Sequence, residues 1–151
     1  MEEQIIISLG SNLGDRLNAL YKALALLEAY PISIKLLSKV YETPAWGFKG
    51  DPFFNACVSI KTKLKPKDLL EVLLKVEKTM GRLPSKGKGY SSRTIDLDLL
   101  FYKSKNIFSA KLKVPHPKLH KRNFVLAPLS EIAPKFIHPI LFQTIEELFQ
   151  N

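Results

Sequence analysis

Asp96 and Asp98 are the residues of this 151-residue chain whose types and spacing most strongly suggest chemistry. In Arg93-Thr94-Ile95-Asp96-Leu97-Asp98-Leu99-Leu100, the apolar residues Ile95, Leu97, Leu99 and then Phe101 recur at period two, with the aspartates between them. This predicts a strand with one buried face and one carboxylate face. Aspartate is depleted in strands, so a pair of them on one face needs a reason. At a rise of about 3.3 Å per residue the two Cα atoms stand roughly 6.5–7 Å apart. With an effective dielectric near 20, two unit charges at that distance repel by about 2.5 kcal/mol. A hard cation between them, or arginines brought to them, reverses that cost. Mg²⁺ suits the geometry, because it takes one or two carboxylates and completes its octahedron with water and phosphate oxygens. The plain alternative is a half-exposed edge strand with solvated acids.

The basic residues sharpen the choice. The net charge is +9, which calls for a polyanion or a phosphate-rich ligand. Arg82, Lys86, Lys88 and Arg93 form one acid-free run, and Lys111, Lys113, Lys118, Lys121 and Arg122 form another. Both flank the aspartate strand in sequence. Lys118 and Lys121 read as a solvated face, and the others as a phosphate site.

Other features bound the class. The length predicts a single domain over residues 1–151. Apolar content of 46% and charged content of 25% are those of a globular protein. No apolar run approaches the ~20 residues of a membrane span. The N-terminus, Met1-Glu2-Glu3-Gln4, is acidic and unlike a secretory signal. Cys57 is the only cysteine, so neither a disulfide framework nor a thiolate metal cluster is expected. A reducing, cytoplasmic location is the simplest reading.

Several elements must position the aspartates. Gln4 to Leu9 predicts a strand that turns at Gly10-Ser11-Asn12. Asp15 to Tyr30 predicts a helix with Leu17, Leu20, Tyr21, Leu24 and Leu27 inward, ended by Pro31. Ile32 to Thr43 predicts one strand, and Ala45 to Pro52 a loop. Phe54, Ala56, Val58, Ile60 and Thr62 alternate as a third strand with one buried face, and Phe53 and Asn55 lie on the other. Pro66 and Asp68 open a second helix that Gly81 closes, with Leu69, Leu73, Val76 and Met80 inward. Leu83 to Ser92 carries Pro84, Gly87 and Gly89 without periodicity and is expected to be a mobile loop. After the aspartate strand, short helices are expected around Phe124 to Ile132 and Thr144 to Phe149.

The order strand–helix–strand–strand–helix–strand predicts an α+β fold. It has the ferredoxin-like βαββαβ core, a mostly antiparallel sheet and additional C-terminal helices. Patterning leaves the central strands open: the first and third, or the third and its partners. With helices on one side, the other side would carry an aromatic ring, an amide and two carboxylates. A ring beside an amide suits a planar heterocycle, and carboxylates beside basic loops suit Mg-nucleotide.

Familiar phosphate and nucleophile motifs do not occur: there is no G-x-x-x-x-G-K-[ST], dinucleotide fingerprint, H-E-x-x-H or G-x-S-x-G. His116 and His120 are four apart, but Pro115 and Pro117 argue against a shared helical face for zinc. The phosphates must then be held by side chains and metal.

Six blocks together resemble the 6-hydroxymethyl-7,8-dihydropterin pyrophosphokinases of folate biosynthesis. They are Ser8-Leu9-Gly10-Ser11-Asn12-Leu13-Gly14-Asp15, Tyr41 to Gly47, Phe53-Phe54-Asn55-Ala56, Gly81-Arg82, Arg93 to Asp98, and Val114-Pro115-His116-Pro117 through Arg122-Asn123-Phe124-Val125-Leu126. The resemblance runs from Ile5 to about Pro134. It implies transfer of the β,γ-diphosphate of ATP to the pterin hydroxymethyl group, with release of AMP. It implies two Mg²⁺ ions on Asp96 and Asp98. Gly10, Thr43, Pro44, Trp46 and Asn55 would line the pterin pocket, with Phe53 and Phe124 stacking on the ring. Glu77, Arg93, Lys111, Lys113, His116 and Arg122 would contact ATP. Arg82 and Arg93 would support transfer, Arg82 from a loop that closes. The family often ends that loop Arg-Trp-Gly-Pro-Arg, where this chain has Lys88-Gly89-Tyr90-Ser91-Ser92-Arg93. Phe53 stands where tyrosine is common, and Lys111 where arginine is common.

Two rival readings compete. A basic sheet with exposed aromatics is the logic of an RNA-binding RRM, but its K/R-G-F/Y-G/A-F-V-x-F/Y signature is missing, and two carboxylates on that face would repel phosphate. A phosphoryl or nucleotidyl transferase acting on another small alcohol differs only on the pterin side. The expected partners are small molecules, with no nucleic acid and no membrane, and the expected state is a monomer.

Overall fold

The computed structural model describes residues 4–44, 51–81 and 94–150. Four strands form a sheet in the order β2-β4-β1-β5: β1 is Ile5–Ser11, β2 is Ile32–Leu37, β4 is Phe53–Thr62 and β5 is Asp96–Tyr102. A short β3, Tyr41–Thr43, also pairs with β4, and every pairing is antiparallel. The first and third long strands, β1 and β4, are therefore the central pair. A separate two-stranded ribbon joins β6, Ile107–Phe108, to β7, Lys113–Val114. The chain is thus a mixed fold of helices and antiparallel sheet.

Helix α1, Arg16–Glu28, starts where the Asp15 carboxylate accepts the Asn18 N–H at 3.1 Å, satisfying a donor the helix leaves unpaired. Helix α2, Pro66–Thr79, has proline in its first turn and ends at Gly81, whose φ of +90° suits glycine. Both helices pack on one face of the sheet, over Ile5, Ile7, Leu9, Val58, Ile60, Leu97 and Leu99. The stripe of α1 differs from expectation. Leu17 and Tyr21 are exposed, and Ala19 and Ala23 are buried beside Leu20, Leu24 and Leu27. Alanine lets the helix approach the sheet closely at those positions, and Leu17 and Tyr21 turn outward.

The second face is also covered, contrary to the one-sided expectation, and among the described residues the cover lies towards one end. Helices α3, Asn123–Ile132, and α4, Ile145–Gln150, build a second core with Ile6, Cys57, Leu100 and Phe101. Phe101 belongs to this core rather than to the face of Ile95, Leu97 and Leu99. The register explains it: Ile7 pairs Leu99 but Ile6 pairs Phe101, so Leu100 is an extra residue that reverses the alternation.

Two strand boundaries were misread from the sequence. β1 continues through Gly10 and Ser11, because both find partners on β4. Ile32 to Thr43 is two strands, since residues 38–40 span only positions 56–57 of β4 between Leu37↔Val58 and Tyr41↔Asn55. The buried Ser38 covers the break: its N–H donates to the Cys57 carbonyl and its hydroxyl accepts the Cys57 N–H, each at 2.9 Å.

Candidate active site

Among the described residues, the other end of the second face is the floor of a cleft. The register sets Tyr41, Asn55, Gly10 and Asp96 in one row across four strands, and Cys57, Ser8 and Asp98 in the next. Gly10 puts no side chain between the Asn55 amide and the Asp96 carboxylate. A Cβ there would lie 3.1 Å from Asn55 Oδ1 and 3.6 Å from Phe53 Cδ1. Asn55 is 7% exposed, and its Nδ2 donates to Thr43 Oγ1 at 2.7 Å. That bond leaves Oδ1 as the acceptor turned towards Gly10. Asp96 and Asp98 are half-buried on the same face, as their spacing predicts.

The cleft spans roughly 640 Å³, open solvent at its mouth included. Thr43 and Pro44, at the end of β3, and Phe53, at the start of β4, line it together with Arg122, Phe124 and Val125 from the start of α3. The Arg122 guanidinium lies 5.6 Å from the centre of the Phe124 ring. Arg122, expected with the nucleotide group, thus lines this first cleft. The lining thus combines two aromatic rings, an amide acceptor and two carboxylates.

A second cleft, of roughly 680 Å³ with open solvent included, shares Asp98 with the first. Lys111, Lys113, His116 and Pro117 line it, with Leu70 and Leu97 beneath. Asp98 borders both clefts. Burial lowers the His116 pKa to about 4, reinforced by the nearby Arg122 and opposed by Asp96. The ring is therefore neutral at pH 7. Its Nδ1 accepts the Lys118 N–H at 3.2 Å, which places the remaining proton on Nε2.

Glu77 does not line either cleft. It is 4% exposed, and its Oε2 accepts the Leu97 N–H at 2.8 Å, between the two aspartates. A buried carboxylate on that amide fixes the backbone from which Asp96 and Asp98 project. Trp46, Arg82 and Arg93, and the loop Leu83 to Ser92, lie outside the described residues.

The sequence reading missed three supports. Ser8 lies on the cleft floor between Cys57 and Asp98. Glu131 of α3 accepts the Tyr41 hydroxyl at 2.7 Å and the Lys39 N–H at 3.0 Å, tying α3 to β3. Arg16 donates to the Pro52 carbonyl at 2.8 Å, and its guanidinium lies 4.2 Å from the centre of the Phe54 ring. Ser8 opens the first motif block and Arg16 directly follows its last residue, whereas Glu131 falls within none of the blocks. Cys57 is not a candidate nucleophile, because full burial pushes its thiol far above its ordinary range.

The sequence model of 7,8-dihydro-6-hydroxymethylpterin-pyrophosphokinase (HPPK) matches residues 6–134. A 2-amino-4-hydroxy-6-hydroxymethyldihydropteridine pyrophosphokinase of Aquifex aeolicus is 43% identical over 144 residues, covering 95% of this chain and 88% of that one. An enzyme of the same name from Porphyromonas gingivalis is 41% identical over 138 residues, covering 89% and 93%. Among solved structures, an HPPK-DHPS in complex with substrates superposes with a TM-score of 0.77 at 15% identity. That alignment covers 97% of this chain but 43% of the longer one, and it carries the fold alone.

Proposed function

This chain belongs to the 7,8-dihydro-6-hydroxymethylpterin-pyrophosphokinase family, and from that premise we propose how its two clefts divide the reaction. The enzyme transfers diphosphate from ATP to the hydroxymethyl group of 6-hydroxymethyl-7,8-dihydropterin and releases AMP, a step of folate biosynthesis. The first cleft takes the pterin and the second takes the nucleotide. The observation that carries this division is Asp98, which borders both, so that the transferred group crosses at the aspartates. The strand order and alternation of helices support the finer fold reading, a ferredoxin-like core with β3 added.

In the first cleft, Phe53 and Phe124 stack on the heterocycle, and Asn55 Oδ1 accepts a ring N–H or amino proton. Pro44 and Thr43 close the edge, with Trp46 assigned beside them on sequence alone. In the second cleft, Lys111 and Lys113 bring positive charge to the phosphates. His116 offers a neutral Nε2–H donor. Glu77 acts through the backbone of β5. Arg122 stands beside Phe124 and faces the crossing point. Arg82 and Arg93 join the phosphate site on sequence alone.

The aspartates suit Mg²⁺. Two hard carboxylates project from one strand, and Mg²⁺ takes one or two carboxylates and fills the rest of its shell with water and phosphate oxygens. Bound there, two Mg²⁺ ions would neutralise phosphate charge during in-line displacement at the β-phosphorus. The chain's own contribution is positioning: it aligns the hydroxymethyl oxygen with the β-phosphorus and holds both ligands still. Among the described residues no helix is long and apolar enough to cross a membrane.

The test is AMP release. The purified protein should form AMP from ATP only when the hydroxymethyl pterin and Mg²⁺ are both present, and chelation should stop it reversibly. AMP formation without the pterin would refute the assigned acceptor.

A further inference from the structure

Phe53 enters the first cleft at the start of β4, and the residues around it are held from the opposite face of the sheet. Residues 45–50 lie outside the described structure, which resumes at Asp51. The 1%-exposed Asn12 donates through Nδ2 to the Asp51 carbonyl at 3.2 Å. Arg16, on the first turn of α1, donates through Nη1 to the Pro52 carbonyl at 2.8 Å. The same guanidinium lies 4.2 Å from the centre of the Phe54 ring. Phe54 packs against the core under α1, whereas Phe53, one residue earlier, faces the cleft. Arg16 therefore grips the residue before Phe53 by its carbonyl and the residue after it by its ring.

We propose that Arg16 is a positioning residue for the pterin, acting through Phe53: by fixing residues 52 and 54 it sets the height and tilt of the ring on which the heterocycle stacks. The inference rests on assigning the first cleft to the pterin. The chemistry favours arginine specifically. A planar guanidinium stacks on a ring by its face while donating in its plane, so both contacts form at once. A lysine ammonium is a point charge and satisfies one contact at the expense of the other. Stacking depends on the separation and offset of two planes, so a small rotation of Phe53 is felt by a flat ligand. The nucleotide cleft shares none of these three residues.

Pterin affinity is read by calorimetry, with a non-hydrolysable ATP analogue saturating, for wild type, Arg16→Lys, Arg16→Ala and Phe53→Ala. Analogue affinity and thermal melting are measured on each. Arg16→Ala should weaken pterin binding about tenfold, equivalent to about 1.4 kcal/mol, with analogue affinity unchanged. Arg16→Lys should fall between it and wild type, and it decides the matter if Arg16→Ala does not fold. In a Phe53→Ala background, Arg16→Lys should add nothing, because its effect passes through the ring. Wild-type pterin affinity in the Arg16 variants, beside weakened binding in Phe53→Ala, overturns the inference and leaves the cleft assignment standing. Equal loss for both ligands also overturns it and reduces Arg16 to a support of the fold. Wild-type pterin binding by Phe53→Ala overturns the cleft assignment, and the inference with it.

Discussion

Replacing Gly10 by alanine separates binding from folding. Gly10 is the penultimate residue of β1 and has no positive φ, and it is paired to Asn55 on one side and Asp96 on the other. Glycine in a strand interior carries an entropic cost, so alanine there should be neutral or stabilising by roughly 0.5–1 kcal/mol. The cleft responds oppositely. The new Cβ would stand 3.1 Å from Asn55 Oδ1, close enough that the amide must give by a few tenths of an ångström. Asn55 cannot give freely, because its Nδ2 is held by Thr43 Oγ1 at 2.7 Å. Either that bond lengthens or Oδ1 turns from the ligand, and a lost or misdirected buried hydrogen bond costs about 1–3 kcal/mol. Pterin affinity should therefore fall roughly 5- to 150-fold. The melting temperature should stay within a few degrees of wild type, because the gain from replacing glycine opposes the strain on the Asn55–Thr43 bond and 1 kcal/mol corresponds to about 2–4 °C at this size. Calorimetric titration with pterin and a melting curve on one preparation check both. Unchanged pterin affinity would show that the Gly10–Asn55 contact is not part of the site; a collapsed melting temperature would show that the methyl group disrupts the sheet instead.

Asp96→Ala and Asp98→Ala should each lower turnover on the order of 10³-fold or more with unchanged circular dichroism, because each removes half of the carboxylate pair proposed to hold metal; near-normal AMP release in both would end the two-metal reading. Stability should fall on acidification. His116 and His138 are both held by burial at a pKa of about 4, so the unfolded chain binds protons that the folded one refuses. Their contribution is intact above the ordinary histidine range near 6.5 and is lost progressively as pH drops towards 4, which urea melts at pH 7.5 and 5 would register and His116→Asn would lessen. Glu131→Ala should lower stability by about 1 kcal/mol through loss of the Tyr41 and Lys39 hydrogen bonds, and Glu131→Gln, which keeps an acceptor, should recover part of it in thermal melts.

What the sequence disclosed follows from range. The alternation of β4 and the carboxylate face of β5 are set by neighbours two residues apart, so the facing of Phe53, Asn55, Asp96 and Asp98 was readable. So were both ends of α2, where Pro66 and Gly81 act locally. Gly10 looked like a turn residue because only its partners 45 and 86 positions away make it a strand residue. The break at Ser38 and the extra residue Leu100 are mismatches between two strands, which no single segment contains. Leu17 and Tyr21 were placed inside because periodicity ranks residues by apolarity, whereas close approach to the sheet selected Ala19 and Ala23. The grip of Arg16 on Pro52 spans 36 positions and had no periodic signature at all.

Asp98 borders both clefts, and this has a thermodynamic corollary. A carboxylate common to two sites makes the charge on one ligand part of the environment of the other. If filling the second cleft changes pterin affinity by some factor, pterin must change affinity in the second cleft by the same factor, because the two orders of binding close one cycle. Asp98→Asn removes the shared charge while keeping the shape, so it should move that factor towards unity even where each ligand still binds alone. The residue would then be legible as a coupling constant as well as a position.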